Sequence, residues 1–334
     1  MVDAAADDGT LPLGVGDEGE AVRDLQRRLV ALGHEIAPVE AGSFASSTEA
    51  AVRRFQEQHG LTVHGACDRH TWAAVVEAGF HLGDRLLYLR RPMLRGDDVA
   101  LLQRQLGTIG FDAGRVDGIF GPDTERALRD FQRNCGITTD AVCGPEVVAA
   151  LGKLGHKVDD GSTGSGVALV REQLRLQEAP RQLLDRRVAI GEAGGLGALS
   201  NALAQQLHRA GGHVHPLHHP DWSTQARQAN ELGAEVFIAL ETGEPPTTVA
   251  FYATEGWESI GGRRLAELLT DTLPTDGFAP EPARGMRLPI LRETRMPAVL
   301  VHLAPPERVV AETAGVADAI ARGVRAWVQA PIDP

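Results

Sequence analysis

The sequence predicts a multidomain chain, with two all-α three-helix domains followed by an α/β domain with a mostly parallel sheet. Three observations carry this. The first is an internal repeat: Gly19, Val22, Leu25, Gln26, Arg27, Leu29 and Gly33 recur as Gly96, Val99, Leu102, Gln103, Arg104, Leu106 and Gly110, shifted by 77. Thr48, Glu49, Ala51, Arg53, Phe55, Gln56 and Gly60 recur as Thr124, Glu125, Ala127, Arg129, Phe131, Gln132 and Gly136, shifted by 76. The second is helical spacing of the apolar positions within each copy. The third is alternation of strand-sized apolar runs with helical stretches beyond Arg187, the pattern of a parallel sheet with helices on both faces.

Each copy is long for a stacked solenoid repeat and reads as its own small domain. Val22, Leu25, Leu29 and Leu32 form one apolar stripe, closed by Gly33. A second helix opens at Ser46-Ser47-Thr48-Glu49, read as a capping box, and turns Val52 and Phe55 inward. In copy two that helix opens at Gly121-Pro122, with proline in the first turn. The third helix starts at Asp68 in copy one and at Gly144-Pro145 in copy two. The domains are expected over 14–80 and 92–154, with a linker and short helix over 155–182 and the α/β domain over 183–330. Lys153 to Gly166 is rich in Gly, Ser and Asp, as a linker should be.

In the α/β domain the expected strands are Val188 to Ile190, His213 to Leu217, Glu235 to Leu240, Thr248 to Ala253 and Ala298 to Leu303. Helices are expected from about Leu196 to Ala210, after Asp221, around Gly262 to Leu273, and at the end to about Gln329.

Composition narrows the function classes. The 334 residues are 43% hydrophobic and 23% charged, ordinary for a globular protein. A net charge of -12 argues against nucleic acid and anionic membranes as main partners, because both reward clustered Lys and Arg. No apolar run reaches the roughly 20 residues of a membrane helix, so no transmembrane segment is expected. The segment after Met1 has no basic or apolar leader region, and the expectation is cytoplasmic residence. Three cysteines, two at equivalent repeat positions (Cys67 and Cys143), read as reduced thiols.

The repeat resembles the peptidoglycan-binding domain of bacterial and phage wall hydrolases. Copy two carries that family's pattern in Asp117-Gly118-Ile119-Phe120-Gly121-Pro122-Asp123-Thr124 and Phe131-Gln132, whereas copy one keeps Phe44 and Thr48 but lacks the Asp-Gly pair. The resemblance implies binding of peptidoglycan fragments or precursors, with Asp117, Gly118, Phe120 and Gly121 as candidate ligand contacts, more strongly in copy two.

Arg227-Gln228-Ala229-Asn230, Gly233-Ala234-Glu235-Val236-Phe237-Ile238, Leu291-Arg292-Glu293-Thr294 and Arg295-Met296-Pro297-Ala298-Val299-Leu300-Val301 resemble segments of the zinc-dependent N-acetylmuramoyl-L-alanine amidases. That family holds zinc with His, Glu and His, and uses a Glu as general base. The resemblance places none of these types here. The first loop, Gly191-Glu192-Ala193-Gly194-Gly195, has no His; the second ligand position is Leu196, the third Glu241, and the base position His302. A degenerate site with no metal is expected.

Two alternatives stay open at this point. Glu192, Glu241 and His302 follow strand ends facing one crevice, so a rewired metal site is conceivable there. A cluster of His208, His213, His215, His218 and His219 also invites a metal reading, against a surface or packing role. Actinobacterial homologues with this domain order are associated with control of early precursor synthesis through a cytoplasmic, MurA-like enolpyruvyl transferase. The resemblance therefore implies a non-catalytic regulator, with an active amidase cleaving the muramic acid–stem peptide amide bond as the alternative.

Overall fold

A computed structural model describes residues 11–155, 167–184, 186–254, 257–273 and 278–332. The expected leader-free start at residues 1–10 and most of the expected linker (156–166) lie outside the described residues. The chain divides into two compact units, Met1–Ala168 and Leu169–Pro334.

The first unit holds two copies of one three-helix module. Helices α1 (Glu20–Ala31), α2 (Ser46–Gln58) and α3 (Arg69–Ala78) build the first, and α4 (Asp97–Thr108), α5 (Pro122–Cys135) and α6 (Pro145–Gly155) the second. Each module has its own core, around Val22, Leu25, Leu29 and Phe55 in one and Val99, Leu102, Leu106 and Phe131 in the other. Phe55 and Phe131 are fully buried, and each such side chain stabilises its module by about 2 kcal/mol. α1 ends as its sequence implies: Gly33 takes φ 86°, and the His34 N–H reaches back to the Leu29 carbonyl at 2.9 Å.

Buried glutamines fasten the loops. The Gln26 amide donates to the Ser43 carbonyl (3.0 Å) and the Thr48 hydroxyl (2.9 Å), and its carbonyl accepts the Gly42 N–H (2.8 Å). Gln56 and Gln132 do the same for the loop before the third helix, Gln132 accepting from Ala141 N–H at 2.8 Å. Ala141 stands where copy one has Gly65, and it keeps the left-handed conformation at φ 59°.

Two expectations need correction. The α2 N-terminus carries no capping box. Its N-cap is Ala45, and the Glu40 carboxylate accepts the Ser47 N–H (3.1 Å) instead, an acid placed at the positive end of the helix. The second module begins before 92, because Leu82 packs on its core and Leu87 is fully buried within it. The short helix expected within 155–182 is α7 (Val167–Glu178), and from Leu169 onward it belongs to the α/β unit that follows it. Leu176 joins that unit's core, and Glu172 accepts the Ser259 hydroxyl at 2.6 Å.

The α/β unit follows the expected alternation. Its elements run β1 (Arg187–Glu192), α8 (Gly197–Arg209), β2 (His213–His218), α9 (Trp222–Glu231), β3 (Val236–Thr242), β4 (Thr248–Thr254), β5 (Trp257–Glu258) and α10 (Ile260–Thr272). They continue through β6 (Arg284–Met286), α11 (Pro289–Arg292), β7 (Ala298–Leu303), α12 (Pro306–Ala311) and α13 (Thr313–Gln329). The strand order is β2-β1-β3-β7-β4-β5, with β6 beside β4. β2, β1, β3 and β7 are mutually parallel, and β4 runs antiparallel to β7. Val188, Ile190, Ile238, Val299 and Val301 face one core with α8, α10 and α13. On the opposite face α9 approaches so closely that a Cβ at Gly191 would lie 2.2 Å from Gln225 Oε1 and 2.5 Å from the Phe237 ring.

Candidate functional site

In a parallel sheet the chemistry collects at the carboxyl ends of the strands, above the point where successive crossovers diverge. Here β1 leads through α8 to β2 on one side, and β3 lies on the other. Glu192 ends β1, His218 ends β2, Glu241 is the sixth residue of β3, and His302 sits opposite it on β7.

Glu192 is almost fully buried, and its own loop wraps it. Oε2 accepts the Gly194 N–H (2.9 Å) and the Leu196 N–H (3.2 Å), while Oε1 faces His218 Nδ1. The carboxylate thus occupies the amino end of α8, where free N–H groups and the helix dipole favour an anion. Gln225 braces the same turn by donating to the Glu192 carbonyl (2.9 Å) and the His219 carbonyl (2.6 Å). Leu196 turns its side chain into the apolar core and offers no donor atom.

The second pair is Glu241 and His302. His302 Nδ1 lies 3.2 Å from Glu241 Oε2, and Nε2 lies 2.9 Å from the Glu244 carbonyl oxygen. Both partners only accept, so the protonated ring, with an N–H on each nitrogen, satisfies both contacts. The Glu241 carboxylate raises the His302 pKa, burial opposes it, and the Glu244 carbonyl adds to the rise. In that form the ring has no lone pair for a metal or a proton.

These residues do not fit zinc. A catalytic zinc needs three converging protein donors. Of the four positions, Leu196 has none, Glu192 is filled by its loop and His218, and Glu241 and His302 serve each other. Among the described residues no three His, Cys, Asp or Glu side chains are grouped so as to hold a metal ion. The rewired site built on Glu192, Glu241 and His302 is not assembled, since Glu192 pairs away from the other two.

The histidine cluster disperses as well. His208 Nδ1 lies 3.3 Å from the Gly212 carbonyl behind α8, and His219 Nδ1 accepts the Asp221 N–H at 3.0 Å. Only His218 reaches the crevice, and its pairing with Glu192 was missed from sequence. The signal would have been the β1–β2 register, which sets Glu192 opposite His218.

The amidase-like motifs act as braces. Asn230 donates to the Glu293 carbonyl (2.8 Å) and accepts the Arg295 N–H (2.8 Å), fixing the turn that feeds β7. The Phe237 N–H donates to the Pro297 carbonyl (3.0 Å), which sets the β3–β7 register.

In the second module the expected ligand contacts are mostly internal. Phe120 is fully buried in the core, so its ring cannot reach a ligand. Asp117 Oδ1 accepts the Gln103 amide (2.9 Å) and the Ile119 N–H (2.9 Å), and Gln103 accepts the Gly118 N–H (2.8 Å). Gly121 is half-buried beneath Met93. In copy one, where Ala41-Gly42 stands in place of Asp117-Gly118, the Glu40 carbonyl accepts the corresponding amide hydrogen from Gln26 (2.9 Å).

The family model described as "Putative peptidoglycan binding domain" matches residues 18–75 and 95–151. The chain is 31% identical over 361 aligned residues to the N-acetylmuramoyl-L-alanine amidase CwlM of Mycobacterium tuberculosis, covering 94% of this chain and 88% of that one. The chain belongs to the CwlM-like N-acetylmuramoyl-L-alanine amidase family. The amidase CwlL of Bacillus licheniformis is 29% identical over 157 residues, 41% of this chain and 44% of that protein. The amidase structure from Clostridium difficile 630 aligns with TM-score 0.37 and 16% identity, over 44% of this chain and 98% of that one. In this CwlM-like chain, then, the helical modules are peptidoglycan-binding domains and the α/β unit is an amidase-like domain. No described helix is long and apolar enough to cross a membrane.

Proposed function

We propose that this chain is a non-catalytic peptidoglycan-recognition protein that regulates cell-wall synthesis, its amidase-like domain having become a pseudoenzyme. The observation that supports this most is His302, whose two ring nitrogens are both committed to acceptors where the family places its general base. Leu196 in the core and Glu192 inside its own loop point the same way. Purified protein should retain no stoichiometric zinc after dialysis and should release no stem peptide from peptidoglycan with zinc added. One zinc per chain together with released peptide would overturn the reading and establish the alternative, a zinc-dependent amidase, which the names of the relatives favour.

The same proposal includes cytoplasmic residence and a precursor-synthesis enzyme of the MurA-like class as partner. Affinity purification from the native host with mass spectrometry of co-eluting proteins tests it, and recovery chiefly from the cell wall or medium would count against it.

A further inference from the structure

The two modules differ in the strap that leads into their first helix. Each strap is held at both ends. In copy one Leu13 exchanges N–H and C=O bonds with Cys67 (3.0 and 2.8 Å), and the Asp17 carbonyl accepts the Phe44 N–H (2.8 Å). In copy two Leu87 does the same with Cys143 (3.2 and 2.8 Å), and the Leu94 carbonyl accepts the Phe120 N–H (2.9 Å). Between these anchors copy one has three residues, Gly14 to Gly16, and copy two has six, Tyr88 to Met93.

The added length carries a distinct chemistry. Copy one's strap continues into Asp17 and Glu18, whereas copy two's reads Tyr-Leu-Arg-Arg-Pro-Met with no acid. All six of these residues are exposed, Tyr88 at 41% and Met93 at 43%. Neither Arg90 nor Arg91 has an ion pair or hydrogen bond with any described residue. Two free guanidinium groups beside an exposed phenol and two apolar side chains stand out on a chain of net charge -12.

We infer that the strap Tyr88–Met93 is the recognition element of the second module, and that it takes a carboxylate-bearing stem peptide of peptidoglycan. This rests on the peptidoglycan-recognition reading and locates it. Arg90 and Arg91 meet the peptide carboxylates by charge complementarity, while Tyr88, Leu89 and Met93 cover its apolar parts. Anchors at both ends hold the strap in place before the ligand arrives, which lowers the ordering cost of binding. The Asp117–Phe120 segment supports the strap from below, as its inward bonds require.

The test is calorimetric titration of the full chain with a disaccharide–tripeptide muropeptide, with the same muropeptide amidated at its carboxylates, and with phosphatidylglycerol vesicles. The double variant Arg90→Gln/Arg91→Gln should bind the acidic muropeptide about tenfold more weakly, with less salt dependence and an unchanged melting temperature. Amidation should weaken binding to the parent by a similar factor. A parent that binds, with neither change having an effect, would overturn the strap proposal and leave peptidoglycan recognition standing. A parent that binds neither the muropeptide nor intact sacculi would overturn both. Vesicle binding through the arginines without muropeptide binding would replace the stem peptide by a lipid surface and overturn the proposal.

Discussion

Glu192 and His218 face each other across the β1–β2 pair, one buried at the end of its strand, the other with its ring largely in solvent. The carboxylate does more than pair with the histidine, because it also holds two N–H groups of the loop that starts α8. The energetic weight therefore sits on the loop bonds. A half-solvated ion pair contributes about 1 kcal/mol or less.

Glu192→Ala should accordingly destabilise the chain by about 1–3 kcal/mol, chiefly because it leaves the buried Leu196 N–H unpaired, the Gly194 N–H being open to water. His218→Ala should cost less than about 1 kcal/mol. Denaturant unfolding of both single variants and the double variant checks this, and equal costs for the two singles would contradict it.

His302 gives a pH dependence with a definite sign. Its pKa is raised in the folded protein by Glu241, aided by the Glu244 carbonyl and opposed by burial and Arg284. The pairing therefore contributes stability that is fully present below the unfolded value of about 6.5 and is lost as pH rises through the folded one. The stability difference between the parent and His302→Gln should be larger at about pH 6 than at about pH 9. A difference that grows with pH would refute the assignment of His302 as an imidazolium.

Ala141→Gly should stabilise the second module by roughly 0.5–1 kcal/mol. Alanine in the left-handed region carries a steric cost of about 1 kcal/mol or more, which glycine removes while adding some unfolded-chain entropy. A shift of the denaturation midpoint to higher urea is expected, and a shift to lower urea would mean that the Cβ packs usefully in its buried site.

Asn230→Ala should cost about 1–3 kcal/mol by freeing the Glu293 carbonyl and the Arg295 N–H at once. Faster amide exchange over the turn before β7, measured by mass spectrometry, should accompany the loss. Unchanged exchange there would show that the turn is held by something else.

Much of this architecture was legible in the sequence because the determinants are local. The helical stripes, the caps at Asp68 and Asp221, and the five main strands all fell where periodicity and turn residues put them. The direction of β4 was not legible, since Thr248 to Ala253 is buried on both faces and reads like its parallel neighbours. The Glu192–His218 pair depends on a partner distant in sequence, and the Glu40 cap on a loop conformation that the helix signals alone do not announce. That Leu196 carries no donor atom was readable from residue type. The internal commitments of Glu192 and His302 required the strand order.

The unequal straps bear on how two similar modules avoid exchanging parts while the chain is being made. Tandem domains of like sequence can fold by borrowing each other's segments, a common failure of repeat proteins. Here the first strap can meet its partner once Cys67 has been synthesised, and the first module is complete at Ala78, before the second strap exists. When that strap appears, six residues rather than three separate its anchors, so it could take the first module's two docking points only by bulging out three residues. The length difference works as a key that keeps each leading segment with its own helices.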